Sequence, residues 1–141
     1  AYLDCEFNGF EGELISMAIV VDKTTYFYEA LNCLDPVPWV KENVIPVILK
    51  HPISKLSFTA KLEEFLNQYE ELEIVADWPD DIKYLCKAMI TGPGTMIKTP
   101  VLSFHLNRID ASSLIPHNAL ADALGIICFI KKKKKKNFSD I

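Results

Sequence analysis

Hydrophobic and polar positions alternate from the first residues of this chain. Tyr2 to Asn8 puts Leu3, Cys5 and Phe7 on one face and Tyr2, Asp4, Glu6 and Asn8 on the other. That period of two predicts a strand with an apolar side and an acidic side. Gly9 to Gly12 reads as a turn, and Glu13 to Val21 as a longer, mostly apolar strand. Asp22-Lys23 is a short hairpin connection into the β-rich run Thr24 to Ala30. The opening third is therefore expected to be an antiparallel three-strand meander.

The period then changes. Leu34 to Pro38 is a loop, and Trp39 to Val44 a short helix stopped near Pro46. After a connection over Pro52 to Leu56, Ser57 to Glu70 carries Phe58, Leu62, Phe65, Leu66 and Tyr69 on one helical stripe. Leu72 to Ala76 is a short apolar strand, and Asp77-Trp78-Pro79 starts a helix running to about Ile90, broken by Gly92-Pro93-Gly94. Pro100 to Leu106 reads as a further strand, Asn107 to Pro116 as a loop, and His117 onward as the final helix, which runs into six lysines. The expected class is α/β: a mixed five-stranded sheet, three antiparallel strands followed by two parallel ones, with helices on both faces. Residues 1–130 form a single domain in this reading, and residues 131–141 a Lys-rich tail.

Composition narrows the class. At 141 residues the chain is expected to hold one core. No apolar run reaches the ~18 residues that span a bilayer, so no membrane association is expected. The opening Ala-Tyr-Leu-Asp-Cys-Glu has no basic region and does not read as a signal peptide. Cys5, Cys33, Cys86 and Cys128 are scattered without a Cys-x-x-Cys pair, which fits buried thiols in a reducing cytoplasm better than a zinc site or a disulfide frame. The net charge of −4 hides a split. Residues 131–141 hold six lysines and one aspartate, and the rest hold nine basic and eighteen acidic side chains, so a +5 tail follows a −9 body. An acidic body is a soluble surface, or it is a store of ligands for divalent cations. Lys131 to Lys136 is either a solvated helix end or an electrostatic hold on a nucleic-acid backbone.

Three groups of residues could carry chemistry. Asp4 and Glu6 share a strand face with Cα atoms about 6.5–7 Å apart. Such a pair is either a solvated acidic edge or a place where a divalent cation relieves the repulsion. Asp77 reads as an N-cap with Asp80 in the first turn, which accounts for both without chemistry. Asp81 lies deeper, near the carboxyl end of a sheet strand, where α/β proteins bind ligands. His117 and Asp122 are five positions apart, roughly 140° around one helix, so they share a site only if His117 stands on the loop before the helix. Pro116 supports that placement. His51 and His105 fall outside these groups and read as structural.

Taken in order, the segments Leu3-Asp4-Cys5-Glu6-Phe7, Ala76-Asp77-Trp78-Pro79-Asp80-Asp81-Ile82-Lys83-Tyr84-Leu85 and His117-Asn118-Ala119-Leu120-Ala121-Asp122-Ala123 resemble the motifs of the DEDDh (DnaQ-like) 3′–5′ exonucleases, which have the ribonuclease H-like fold. The resemblance runs from about residue 2 to residue 127. The Asp-x-Glu-Phe opening and the small size look most like the exoribonuclease branch that includes the polyadenylate-specific enzymes. The resemblance implies that Asp4, Glu6, Asp81 and Asp122 are metal-site carboxylates holding two Mg²⁺ or Mn²⁺ ions, with His117 as general base. It also implies release of nucleoside 5′-monophosphates from the 3′ end. Many relatives have Asn where this chain has Asp77, an extra acid that leaves open whether Asp77 joins or replaces Asp81. Phe7 and Trp78 could stack on bases and Asn8 could contact the terminal sugar; packing into the core is the other reading of Phe7.

The expected activity is thus hydrolysis of single-stranded RNA from its 3′ end by a two-metal mechanism, in the cytoplasm, with a homodimer suggested by the resemblance alone. The rivals are the same chemistry on DNA, a non-catalytic nucleic-acid-binding module on the same fold, and a two-metal phosphohydrolase acting on free nucleotides.

Overall fold

The structure is a computed structural model that describes residues 1–108 and 116–139, with the side chains of 129, 130 and 133–139 outside the description. The chain runs through β1 (Tyr2–Phe7), β2 (Leu14–Val20), β3 (Tyr26–Leu31), α1 (Pro38–Asn43), a 3₁₀ turn at Ile45–Val47, β4 (Pro52–Ile53), α2 (Lys55–Leu66), β5 (Glu71–Ala76), α3 (Pro79–Met89), β6 (Ile90–Gly92), β7 (Thr95–Met96), β8 (Val101–Leu106) and α4 (Ala119–Ser139). One sheet orders its strands β4-β3-β2-β1-β5-β8, and β6 and β7 form a separate hairpin.

The β1–β2–β3 meander is antiparallel. Asp22 builds its turn: Oδ1 accepts from the backbone N–H groups of Thr24 and Thr25, each at 2.8 Å, and from the Thr24 hydroxyl at 2.9 Å. β5 lies parallel to β1, and β8 parallel to β5. The expected five strands become six, because Pro52–Ile53 pairs parallel with Ala30 and Leu31 on the outer side of β3. A two-residue strand that opens on proline shows no alternation to read. The β6–β7 hairpin escaped the sequence for the same reason, and it reverses at Gly94 with φ +67°.

Both faces of the sheet are covered. Leu3, Cys5, Met17, Ile19, Phe27 and Ile74 pack under α2 and α3 with Phe58, Leu62, Leu66, Tyr84 and Leu85. On the opposite face Ala18, Val20 and Tyr28 meet Ala119, Ala123 and Ile127 of α4. Those three α4 residues recur every fourth position, and the two alanines let the helix come close to the sheet. β2 is buried along Ile15–Val20, as a strand covered on both sides must be.

Several boundaries moved by one to four residues, among them the start of α4, at Ala119 and not His117, and both ends of α2. α2 begins at Lys55 because Ser54 caps it, its hydroxyl accepting from Ser57 N at 3.1 Å, and it ends at Leu66, where Asn67 donates to the Glu63 and Lys98 carbonyls. The thiols also differ from expectation. All four are free, but only Cys5 is buried; Cys33 and Cys86 are half-buried and Cys128 is exposed. No helix among the described residues is long and apolar enough to cross a membrane.

Candidate metal centre

β1 and β5 are in register only at Tyr2 and Val75, and beyond that point the strands part. The parting frees the Cys5 backbone N–H, which donates instead to Asp81 Oδ1 at 3.1 Å. Asp81 therefore sits in the first turn of α3 but bonds to the middle of β1, and its side chain is 2% exposed. Asp4 projects from β1 on the side covered by α4, two residues from Glu6. Asp4, one of the two β1 acids on that strand face, thus meets the α3 acid across the gap between the strands.

The last group comes from the start of α4. Asn118 is the cap of this helix: its Oδ1 accepts from Ala121 N at 2.9 Å. Its amide nitrogen donates to the carbonyls of Val47 at 2.7 Å and Ile48 at 3.0 Å and to the Tyr28 hydroxyl at 3.2 Å, and that hydroxyl also donates to Ile48 O. This buried clamp fixes α4 against β3 and the 3₁₀ turn. His117 stands just before the helix, with φ +67°, its N–H donating to Asp122 Oδ2 at 3.1 Å. Its ring meets the Trp39 ring edge-on at 4.9 Å.

Asp4, Asp77 and Asp81 each offer an oxygen within 4.8 Å of the others, and so do Asp4, Glu6 and Asp122. Asp4 belongs to both triads. These acids line one cleft of about 670 Å³ with Phe7, Phe10, Trp39, Trp78, Asp80 and His117. No ion pair holds Asp4, Glu6 or Asp81 among the described residues. Burial and then the surrounding acids, Asp81 first, push Asp4 well above the usual carboxylate range. Burial, then Asp122 and Asp81, raise Glu6 to about 9, with a hydrogen bond to Asp122 adding to the effect. Burial raises Asp81 to about 8 against the opposing pull of the Cys5 N–H. Asp77 is raised by burial and pulled back by the Arg108 guanidinium.

Oδ2 of Asp4 and Oδ2 of Asp81 are buried without a hydrogen-bond partner. Buried carboxylate oxygens without partners carry a full desolvation cost. Clustered, all-oxygen and orphaned, they suit hard divalent cations such as Mg²⁺ or Mn²⁺.

The residues suggested for substrate contact fare differently. Trp78 is exposed and lines the cleft, its indole N–H donating to Asp80 Oδ2 at 3.1 Å. Phe7 also lines the cleft, but its ring stacks on Tyr84 with centroids 4.6 Å apart. Asn8 is occupied at both ends: its amide nitrogen donates to Glu13 Oε1 at 3.1 Å and Asp35 O at 2.9 Å, and its oxygen accepts from Val37 N at 2.8 Å. Asn8 thus acts as a strut between loops. His51 and His105 are exposed and away from the cleft.

Asp77 is not the N-cap expected of it. Trp78 holds that place with no side-chain cap bond, and Asp77 faces Asp4 and Asp81 instead. Trp39 and Phe10 were missed, since nothing in their local sequence ties them to the acids. Asn118 could have been found, because an Asn directly before an Ala-rich run is an N-cap signature. Comparison of the chain with protein-family models gives no match, and comparison with curated proteins gives none either.

Proposed function

We propose that this chain is a metal-dependent 3′–5′ exonuclease of DEDDh (DnaQ-like) type on a ribonuclease H-like sheet, acting on single-stranded RNA in preference to DNA. The observation that carries the reading is the double membership of Asp4. A carboxylate shared by two acid triads, with orphaned oxygens on Asp4 and Asp81, suits two cations side by side. Asp4, Asp77 and Asp81 would hold one, and Asp4, Glu6 and Asp122 the other. When bound, such ions lower the pKa of water and stabilise a leaving oxygen.

The protein's own part is positional. Asp122 holds His117 through its backbone N–H and Trp39 braces the ring, so the imidazole stays at the mouth of the cleft. An imidazole placed there can take a proton from the attacking water. Hydrolysis then leaves a nucleoside 5′-monophosphate and a strand shortened at its 3′ end. A cytoplasmic place of action and a homodimer belong to the same reading.

The test is digestion of a 5′-labelled RNA and a matched DNA with Mg²⁺, with Mn²⁺ and with chelator. The expected result is a ladder receding from the 3′ end, faster on RNA, absent with chelator, and reduced at least about a hundredfold by Asp4→Asn. Faster loss of DNA moves the substrate to DNA. Equal activity in Asp4→Asn, or in chelator, overturns the site.

A further inference from the structure

The cleft that would take a nucleic-acid strand is lined by acids and by no lysine or arginine among the described residues. Cations can neutralise it where the reacting phosphate sits. The next phosphate along a strand lies beyond an ion pair spaced about 3.5–4 Å, and Asp80, which belongs to neither acid triad, also lines the cleft.

Among the described residues a positive group stands at that rim, beside Trp78. The chain has fourteen lysines and one arginine, and the arginine is Arg108. The β5–β8 ladder closes on Ala76 and Leu106 and is extended by the Asn107 N–H, which donates to Ala76 O at 2.8 Å. Arg108 follows directly, so its backbone stands beside the strand end that leads into Asp77 and Trp78. Its guanidinium lies over the Trp78 ring, 4.6 Å from the centroid, and Trp78 is itself held by Asp80. Stacking uses the face of the guanidinium and leaves its edge donors, and among the described residues those donors make no hydrogen bond or ion pair. A planar, always-charged fork with free edges is the group suited to bidentate phosphate recognition, which an ammonium does not reproduce.

We propose that Arg108, braced by Trp78, is a substrate-binding residue that grips the backbone phosphate one nucleotide in from the scissile bond, so that the cleft prefers oligonucleotides to single-phosphate esters. The turnover arm of the test rests on the exonuclease reading; the binding arm does not. On this view one face of Trp78 is taken by Arg108, and its role is to hold the clamp.

The experiment compares wild type, Arg108→Ala and Arg108→Lys on a single-stranded RNA oligonucleotide and on the p-nitrophenyl ester of thymidine 5′-monophosphate, which carries one phosphate. The expected result is a loss on the order of tenfold or more in kcat/KM on the oligonucleotide, expressed in KM, with the ester unchanged and Arg108→Lys recovering only part. No loss on the oligonucleotide, or equal loss on both substrates, overturns the clamp. Anisotropy of the labelled oligonucleotide with Asp4→Asn and with Asp4→Asn/Arg108→Ala reads the same contact without turnover. The added substitution should weaken binding on the order of tenfold and reduce the salt slope by about one. Binding with that difference but no cleavage by wild type sinks the exonuclease reading and keeps the clamp. Unchanged affinity and slope, or no binding by either protein, overturns the clamp.

Discussion

Glu29 and Asp4 are both carboxylates on strands of the same sheet, and the chain treats them in opposite ways. Glu29 lies on β3 under α2, 8% exposed, and two ammonium groups reach one of its oxygens: Lys61 at 3.4 Å and Lys50 at 3.7 Å. Asp4 lies on β1 on the other face, among Glu6, Asp77, Asp81 and Asp122, with no lysine or arginine among the described residues paired to it. The contrast shows that this chain can supply a cation to a buried acid when only the fold needs one. Among the described residues no such cation pairs with Asp4, Glu6 or Asp81, and a bound cation would relieve their repulsion.

The sharpest way to break this comparison is to neutralise each acid with an isosteric amide. In chelator, Asp4→Asn should melt higher than wild type, because a neutral amide ends the cost of holding a carboxyl among like charges, while activity with Mg²⁺ falls at least about a hundredfold. Glu29→Gln should melt lower, by on the order of 1–2 kcal/mol, because the charge that holds Lys50 and Lys61 is lost; their half-exposure keeps the effect small. Equal signs for the two variants in thermal melts would end the distinction.

The pH response sharpens it next. Glu6 and Asp81 have folded pKa values of about 9 and about 8, above an unfolded value of about 4. Between these limits the native chain binds more protons than the unfolded one, so stability falls as pH rises. Metal-free protein should lose stability steadily from about pH 4 to pH 9, and millimolar Mg²⁺ should restore it mainly at the alkaline end. A flat stability profile in chelator, or a Mg²⁺ effect greater at pH 5 than at pH 8, would contradict this.

Asn118→Ala should cost about 1–3 kcal/mol in denaturant unfolding, since it removes a cap and leaves the Val47 and Ile48 carbonyls short of a donor. It should also weaken metal binding by displacing Asp122, although Asn118 touches no candidate ligand oxygen. The smallest effect on stability is at His117, whose φ of +67° is unusual for a residue with a Cβ. His117→Gly should be more stable than His117→Ala by about 1 kcal/mol while activity drops on the order of a hundredfold or more in both. Equal stability would mean that the backbone there is not strained.

Much of this was legible before any coordinates. The alternation of Leu3, Cys5 and Phe7 with Asp4 and Glu6 gave β1 and its acidic face, because a half-covered strand must alternate. The Phe58–Leu62–Phe65–Leu66 stripe gave α2 to within a few residues, and Pro116 correctly kept His117 out of the helix. What the sequence hid was non-local. Asp77 looked like a cap because local rules make it one, and only the parting of β1 from β5 turns it toward Asp4. Trp39 reaches His117 across the fold, and Arg108 is an ordinary loop cation until Trp78 lies beneath it. β4 and the β6–β7 hairpin are too short for any period to register.

Asp4 and Asp122 belong to the first strand and the last helix, so the largest loop in the fold must close before they meet. The meander can pair early, since its contacts are local, but docking of α4 gathers positions from nearly the whole described chain and is a slow, high-contact-order event. Until that docking the triad of Asp4, Glu6 and Asp122 is incomplete, although Asp4, Asp77 and Asp81 are brought together by β1, β5 and α3 alone. The share of the charge conflict that Asp122 adds is therefore met when the Asn118 clamp engages, and divalent cations in the refolding medium should speed this closing phase while leaving the earlier collapse of the meander unchanged.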